Sequence, residues 1–407
     1  MKKDEILQSY NDYILSTYTR TPAIFVKGKG MTLTDISGKK YLDFFPGWGV
    51  NNVGHCHPKV VAAIRDQIDK LIHIPNNFYH PQQAKLAKEI VRHSFPAKIF
   101  FCNSGAEASE AAIKFARAYG QARLPVEQKI GGQGKRFEII TMLNSFHGRT
   151  LAALSATGQK KHQEAFSPLL AGFKTIPFND LKSLQEAISE HTIAVMLELV
   201  QGEGGIHVAQ PEYVKRIREI CDEKNILLIF DEVQTGMGRT GEMFGFKNYG
   251  VVPDVMTLAK ALGGGLPIGA LVVKKEIADT FKPGMHATTF GGSPLVCKAS
   301  LAVFKAIGKY KMLAQTKTMG AYLKKKLEEL KEKFSCIVEV RGLGLMLGVE
   351  LTFAGENVVQ ECFDHGLIIN CTQGNVLRVM PALNVTKKQI DKAVFILEKA
   401  LGKVSSY

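Results

Sequence analysis

The chain has 407 residues, 45% of them hydrophobic and 22% charged, with a formal net charge of +14. That length accommodates two domains with a large core, and the balance is ordinary for a globular protein. No apolar run reaches a membrane span, the N-terminal MKKDEILQSYNDY lacks an apolar signal core, and the lysines form only short clusters such as Lys324-Lys325-Lys326, so neither membrane insertion, secretion nor nucleic-acid binding is expected.

Residues 1–20 carry the pattern of an amphipathic helix, and residues 23–45 read as short strands joined by glycine turns, a small antiparallel unit. Pro46-Gly47-Trp48-Gly49 breaks that pattern and holds the only tryptophan. His55-Cys56-His57-Pro58 precedes a helix expected over 59–72. The HxH pair is half of a metal site, but no second pair stands at a suitable spacing; a helix-entry loop is the better reading and no metal is expected. A strand over 98–102 runs into NSGAEASE and a helix reaching Gly120. Small residues at such a turn leave helix N-terminal amides open to an anion such as phosphate, and a plain Ser104 N-cap is the equal alternative.

A polar loop over 121–136 includes GGQGK without the spacing of a P-loop. The strand over 137–142 ends at Asn144-Ser145-Phe146-His147-Gly148-Arg149-Thr150. There Phe146 is placed to stack on a flat ring and Arg149 to grip a carboxylate through two parallel bonds; a buried aromatic and a structural arginine explain them equally. Another strand over 193–197 ends in Glu198 and the turn Gln201-Gly202-Glu203-Gly204-Gly205, with a helix over 212–224 after it.

The apolar run Ile226-Leu227-Leu228-Ile229-Phe230 suits a strand covered on both faces, and Asp231-Glu232 follow at its carboxyl end, where α/β sheets bind ligands. A second short strand, Val255-Met256-Thr257-Leu258, leads to Lys260 and then to Gly263-Gly264-Gly265. A lysine among apolar walls loses solvation and becomes a nucleophilic amine. An acid ending one strand and a lysine ending another suit pyridoxal phosphate: the amine joins the aldehyde and the acid pairs with the ring nitrogen. Taken alone, a surface acid and a surface lysine explain the same residues. Gly236 to Gly241 matches GxGxxG, but DEVQT separates it from the strand and no helical pattern follows, which argues against a dinucleotide site.

The strand–helix alternation over 98–275 implies a mostly parallel sheet covered on both faces. The loop over 286–294 offers hydroxyls to a phosphate; a long helical stretch follows over 300–334. Two strands with a glycine turn over 337–350, a helix over 355–365, short strands around Arg378 and a last helix over 386–403 form an α+β unit. The seven cysteines are scattered without a CxxC pair, as reduced thiols of a cytoplasmic protein.

NVGHCHP (52–58), NSGAEASEAAIKFAR (103–117), SFHGRT (145–150), ELVQGEGG (198–205), IFDEVQTGMGRTG (229–241), LAKALGGGLPIGA (258–270) and TTFGGSP (288–294) keep the order of one family. The chain resembles the class III, fold-type-I aminotransferases dependent on pyridoxal phosphate. The resemblance implies an α/β large domain with a mostly parallel seven-stranded sheet over 46–296. It implies a smaller α+β domain over 297–407, joined by an N-terminal segment over 1–45. It makes Lys260 the Schiff-base lysine and proton carrier, with Asp231 facing the pyridinium nitrogen. Val233 and Phe146 would flank the ring and Gln234 would reach its phenolic oxygen. Ser104, Gly105 and Ala106 would bind the phosphate. Thr289 would bind the phosphate of the neighbouring subunit's cofactor, in a homodimer with shared active sites. Arg149 would clamp the substrate's α-carboxylate, Arg378 would serve a second carboxylate or pair with Glu203, and Glu198 would support the site from behind.

The implied reaction moves the ω-amino group of N-acetylornithine or a similar amino acid to 2-oxoglutarate. Ornithine or 4-aminobutyrate as donor, an aminomutase or decarboxylase, and a non-catalytic binding protein are the alternatives. Leu199, Ser293 and Trp48 depart from the family's usual residues and bear on the choice of substrate.

Overall fold

The computed structural model describes residues 2–122 and 136–404; most of the loop expected over 121–136 lies outside them. Its centre is a seven-stranded sheet. From edge to edge the strands are Ala97–Cys102, Gly269–Lys274, Val255–Leu258, Leu227–Asp231, Thr192–Glu198, Glu138–Met142 and Phe173–Ile176. All neighbours pair in parallel except Gly269–Lys274, which runs antiparallel to both of its own. The two central strands are buried at every position, which is why they read as continuous apolar runs. Their side chains still alternate between two cores: Leu228 and Phe230 join one, Leu227 and Ile229 the other. Helix Pro211–Lys224 supplies Val214, Ile217 and Ile220 to the first, and helix Gly105–Ala122 supplies Ala112, Phe115 and Ala116 to the second.

Strands Phe25–Lys29, Thr32–Asp35 and Lys40–Asp43 form the antiparallel unit expected near the N-terminus, and Leu367–Ile368 adds to it in parallel, so both ends of the chain share one sheet. A further antiparallel sheet contains Ile337–Leu343, Met346–Leu351, Val376–Val379 and Asn370–Thr372. No helix among the described residues is long and apolar enough to cross a membrane.

Several expectations need correction. The N-terminal helix spans only Lys3–Tyr13 and buries none of its residues; Ile6 and Leu7 are half-buried and Tyr10 and Tyr13 exposed. The stretch expected as one helix over 300–334 is two, Pro294–Lys309 and Met312–Lys333, separated by Lys311 at φ 49°. The first packs on Pro58–Ile68 and Pro81–His93, the second on Ile337–Leu343 and the C-terminal helix Lys387–Val404. One straight rod could not serve both surfaces, and the left-handed residue turns the chain between them. Pro294–Lys309 also crosses the expected boundary at 296/297.

The HCHP motif enters a helix. His57 Nδ1 accepts from the Lys59 amide at 3.3 Å, and His55 Nε2 lies 2.6 Å from Asp43. Gly236 to Gly241 lies in turns. Within them the fully buried Arg239 donates to the carbonyls of Leu345 (2.8 Å) and Pro381 (2.6 Å) and to the side chain of Asn52. These glycines therefore let a guanidinium tie the end of the large sheet to the C-terminal unit.

Candidate active site

Two neighbouring parallel strands end side by side, with Asp231 in register with Thr257. Asp231 closes one strand, and Lys260 follows the other at φ 46° in a short 3-10 turn, Lys260–Gly263. A left-handed lysine is strained by about 1–3 kcal/mol, a cost found where function fixes the backbone. Between them opens a cavity of about 220 Å³, lined by Gly105, Ala106, Phe146, Arg149, Glu198, Asp231, Val233, Gln234 and Lys260. Of the thirteen sequence-predicted site residues nine converge here, while Ser104, Glu203, Arg378 and Thr289 stand outside this wall.

Asp231 is held on both oxygens. Oδ1 accepts from the Val233 amide and the Thr257 hydroxyl, each at 3.1 Å, and Oδ2 lies 2.7 Å from His147 Nδ1. His147 is buried. Burial alone would pull its imidazole down, yet the hydrogen bond and charge of Asp231, with Glu198 beyond, hold it above the ordinary histidine value. The cavity's acid therefore has behind it an imidazole whose protonated form it favours. SFHGRT contains His147, but no sequence argument gives it a role; its partner lies 84 positions away.

The amine at the other end is tuned oppositely. Burial lowers Lys260 to about 8, against the pull of Glu203, with Arg378 adding to the lowering. About a tenth of the amine is thus neutral at pH 7, far more than for an ordinary lysine. Glu198 lies behind the cavity, its oxygens accepting from the amides of Phe146 (2.9 Å) and Gly202 (3.0 Å). Burial raises its carboxyl to about 7, despite His147 nearby. It ties the Phe146 loop to the Gly202 turn. The turn packs closely on Gln234: a Cβ at Gly202 would lie 2.5 Å from Gln234 Oε1 and push that side chain aside.

Helix Gly105–Ala122 points its N-terminus into the cavity. Ser104 Oγ accepts from the Glu107 amide at 3.2 Å, so the N-cap reading holds for this side chain. The amides of Gly105 and Ala106 belong to the first turn and have no intrahelical acceptor. Arg149 stands with its guanidinium 5.5 Å from the Phe146 ring and makes no ion pair among the described residues. Arg378, almost wholly buried, donates to Glu203 Oε1 at 2.6 Å, to the Gly202 carbonyl at 3.0 Å and to Asn370 at 2.8 Å. Burial pushes the Glu203 carboxyl up, but Arg378 outweighs it and holds it below its usual value. Thr289 lies apart, in an open groove of about 840 Å³ with Thr288, Asn76, His80 and Phe100.

A buried acid, an amine of lowered basicity, two free helix amides and an aromatic wall around one cavity define an enzyme that works through a bound cofactor with an aldehyde, a basic ring and an anionic tail. The chain belongs to the class III aminotransferases, whose family model, "Aminotransferase class-III", matches residues 13–401. It is 52% identical to an acetylornithine aminotransferase of Methanocaldococcus jannaschii, over 99% of this chain and 100% of that protein. Its fold is similar to the ornithine aminotransferase of Toxoplasma gondii, with a TM-score of 0.93 and 31% identity over 100% of this chain and 96% of that one. The acetylornithine aminotransferase of Elizabethkingia anophelis superposes with a TM-score of 0.87 and 30% identity, over 99% and 100% of the two chains. The protein is a pyridoxal-phosphate-dependent aminotransferase, taking an amino donor and a keto acid. The donor set fits that cofactor: carboxylate and amine face one cavity from the ends of neighbouring strands, and the unpartnered amides suit a phosphate.

Proposed function

We propose that the enzyme transfers the ω-amino group of N-acetylornithine to 2-oxoglutarate, leaving the semialdehyde and glutamate. The observation that carries this reading is the pair of arginines. Arg149 is a cation without an acid, whereas Arg378 holds an acid, Glu203, that a ligand can displace. The acceptor has two carboxylates and fits both arginines. The donor has one and leaves Glu203 in place. Identity of 52% to an acetylornithine aminotransferase supports the choice of donor.

Bound pyridoxal phosphate supplies an electron sink for the carbon that gives up or receives the amine. The chain's own residues do the rest. Lys260 is the residue that would hold the cofactor, and its lowered basicity lets it take and return a proton at the reacting carbon. Asp231, backed by His147, keeps the ring nitrogen protonated. Val233 and Phe146 would flank the ring, Gln234 would reach its oxygen, and the amides of Gly105 and Ala106, beside Ser104, would hold the phosphate. Arg149 grips the α-carboxylate through two parallel bonds. Thr289 serves the phosphate of a second subunit in a homodimer; its position in an open groove away from its own Lys260, beside exposed Phe78, Tyr79 and Phe290, suits that role.

Donor profiling with 2-oxoglutarate as acceptor tests the proposal. N-acetylornithine is expected to give the highest kcat/KM. Turnover of ornithine or 4-aminobutyrate without turnover of N-acetylornithine would overturn it.

A further inference from the structure

The chain's only tryptophan stands on the arginine that the proposed function assigns to the second carboxylate. The Arg378 guanidinium carbon is 4.6 Å from the Phe45 ring and 5.3 Å from the Trp48 ring, and the two rings are 5.3 Å apart, edge to face. Three nearly equal separations make a triangle, so both rings gather on one side of the cation and do not sandwich it. Phe45 is buried, whereas Trp48 keeps 50% of its surface exposed. A half-exposed indole is not there to fill a core.

The backbone says the same. Trp48 takes φ 60°, between Gly47 at 60° and Gly49 at 82°. A bulky residue in this left-handed region is a true outlier, and such strain gathers where a side chain must be presented in a set direction. The direction chosen here is the face of Arg378.

The edge of Arg378 is divided. One side is fixed by Asn370 and the Gly202 carbonyl; among the described residues Glu203 is the only acid on it. A dicarboxylate that displaces Glu203 must find the guanidinium still in place. A cation held by ring faces and neutral acceptors stays when its acid leaves, and a prepositioned cation binds with less ordering loss.

We propose that Trp48 is a positioning residue for the acceptor: its indole holds Arg378 in place while a dicarboxylate replaces Glu203, and so favours keto acids with two carboxylates over those with one. This rests on the reading of Arg378 given above. The exposed indole also reports the exchange, because it is the sole tryptophan.

The test uses the holoenzyme, with glutarate as an unreactive dicarboxylate and butyrate as its one-carboxylate control. Glutarate is expected to change tryptophan emission saturably, with a midpoint equal to its inhibition constant against 2-oxoglutarate; butyrate at equal concentration leaves emission unchanged. Trp48→Ala is expected to raise KM for 2-oxoglutarate roughly three- to thirty-fold, moving the donor's KM less than about two-fold, and Trp48→Phe restores most of the loss. Emission that ignores glutarate in an enzyme that glutarate inhibits overturns the proposal. So does an unchanged acceptor KM in Trp48→Ala while Arg378→Ala raises it. If Arg378→Ala also leaves that KM unchanged, or if glutarate does not inhibit, the reading of Arg378 itself fails and the role of Trp48 falls with it. Should Trp48→Ala not fold, the emission titration on the native enzyme decides.

Discussion

The Lys260 cavity and the Thr289 groove differ in completeness. The cavity is small and made from the ends of adjacent strands, so one chain brings amine, acid, ring walls and helix amides together. The groove is about 840 Å³, open, and bordered by exposed aromatics, with no acid–amine pair of its own. The residues of one proposed site are thus complete in chemistry at one place and held in reserve at another. A motif order along the sequence locates both, but it does not say which chain each residue serves.

Lys260→Ala is the largest lesion on the cavity side. Turnover is expected to fall at least about 10⁴-fold, with loss of the covalently held cofactor's absorbance near ~420 nm. Retained turnover would move the chemistry away from this cavity. The same amine offers a pH test. Trace labelling of cofactor-free protein with acetic anhydride, read by peptide mass spectrometry, should give Lys260 a midpoint of about 8, well under the ordinary value of about 10.4. The sign follows from burial, which disfavours the ammonium, so labelling rises as pH passes through that midpoint.

On the groove side, Thr289→Glu sets a negative charge against a phosphate, a penalty of several kcal/mol, or a loss of about 10²-fold or more in cofactor affinity. Its value lies in mixing. A heterodimer of Lys260→Ala with Thr289→Glu contains one site with both lesions and one with neither, if Thr289 serves the other subunit. Activity should return to about half that of the native dimer by this site count, with tags on each chain to isolate the hybrid. If Thr289 serves its own chain, both sites are damaged and the hybrid stays inactive.

What could be read from the sequence follows the same divide. The buried runs ending at Glu198 and Asp231, and the turn at Lys260, were legible because apolar continuity, terminal acids and glycines are local signals. The decoy at 236–241 failed as a nucleotide loop for a local reason too, since no helix follows it. Long-range facts were not legible. The helix Pro81–His93 carries its N-cap on His80, an unusual capping residue. The break at Lys311 has no proline to announce it. The antiparallel Gly269–Lys274 strand inside a parallel sheet has the same apolar composition as its neighbours. The pairing of His147 with Asp231 depends on two loops meeting across the sheet.

Asp231→Ala removes one partner of a buried pair, at about 3–5 kcal/mol. It should weaken cofactor binding by more than about 10²-fold, measured by titrating cofactor-free protein and following absorbance. It leaves the groove untouched, so the dimer's mass in solution should not change. A variant that lost the cofactor and the dimer together would mean that the two regions are one cooperative unit.

The smallest expected effect isolates His147. His147→Gln keeps a donor of similar reach but no charge, and should lower stability by about 1–3 kcal/mol in acid, the range for a buried partner left poorly satisfied. The pH dependence carries the argument. Asp231 holds the folded-state value of His147 above its ordinary one. A raised value means that the folded protein binds the proton more tightly than the unfolded chain. The stabilisation is therefore fully present below about 6.5, the ordinary histidine value, and is lost as pH rises through the higher folded value. Denaturant melts of cofactor-free native and variant protein should draw together as pH increases from 6 towards 9, within the cavity's own acid–cation pair. A gap that instead widened with pH would mean that His147 is neutral in the folded protein, and Asp231 would then face the ring nitrogen without a cation behind it.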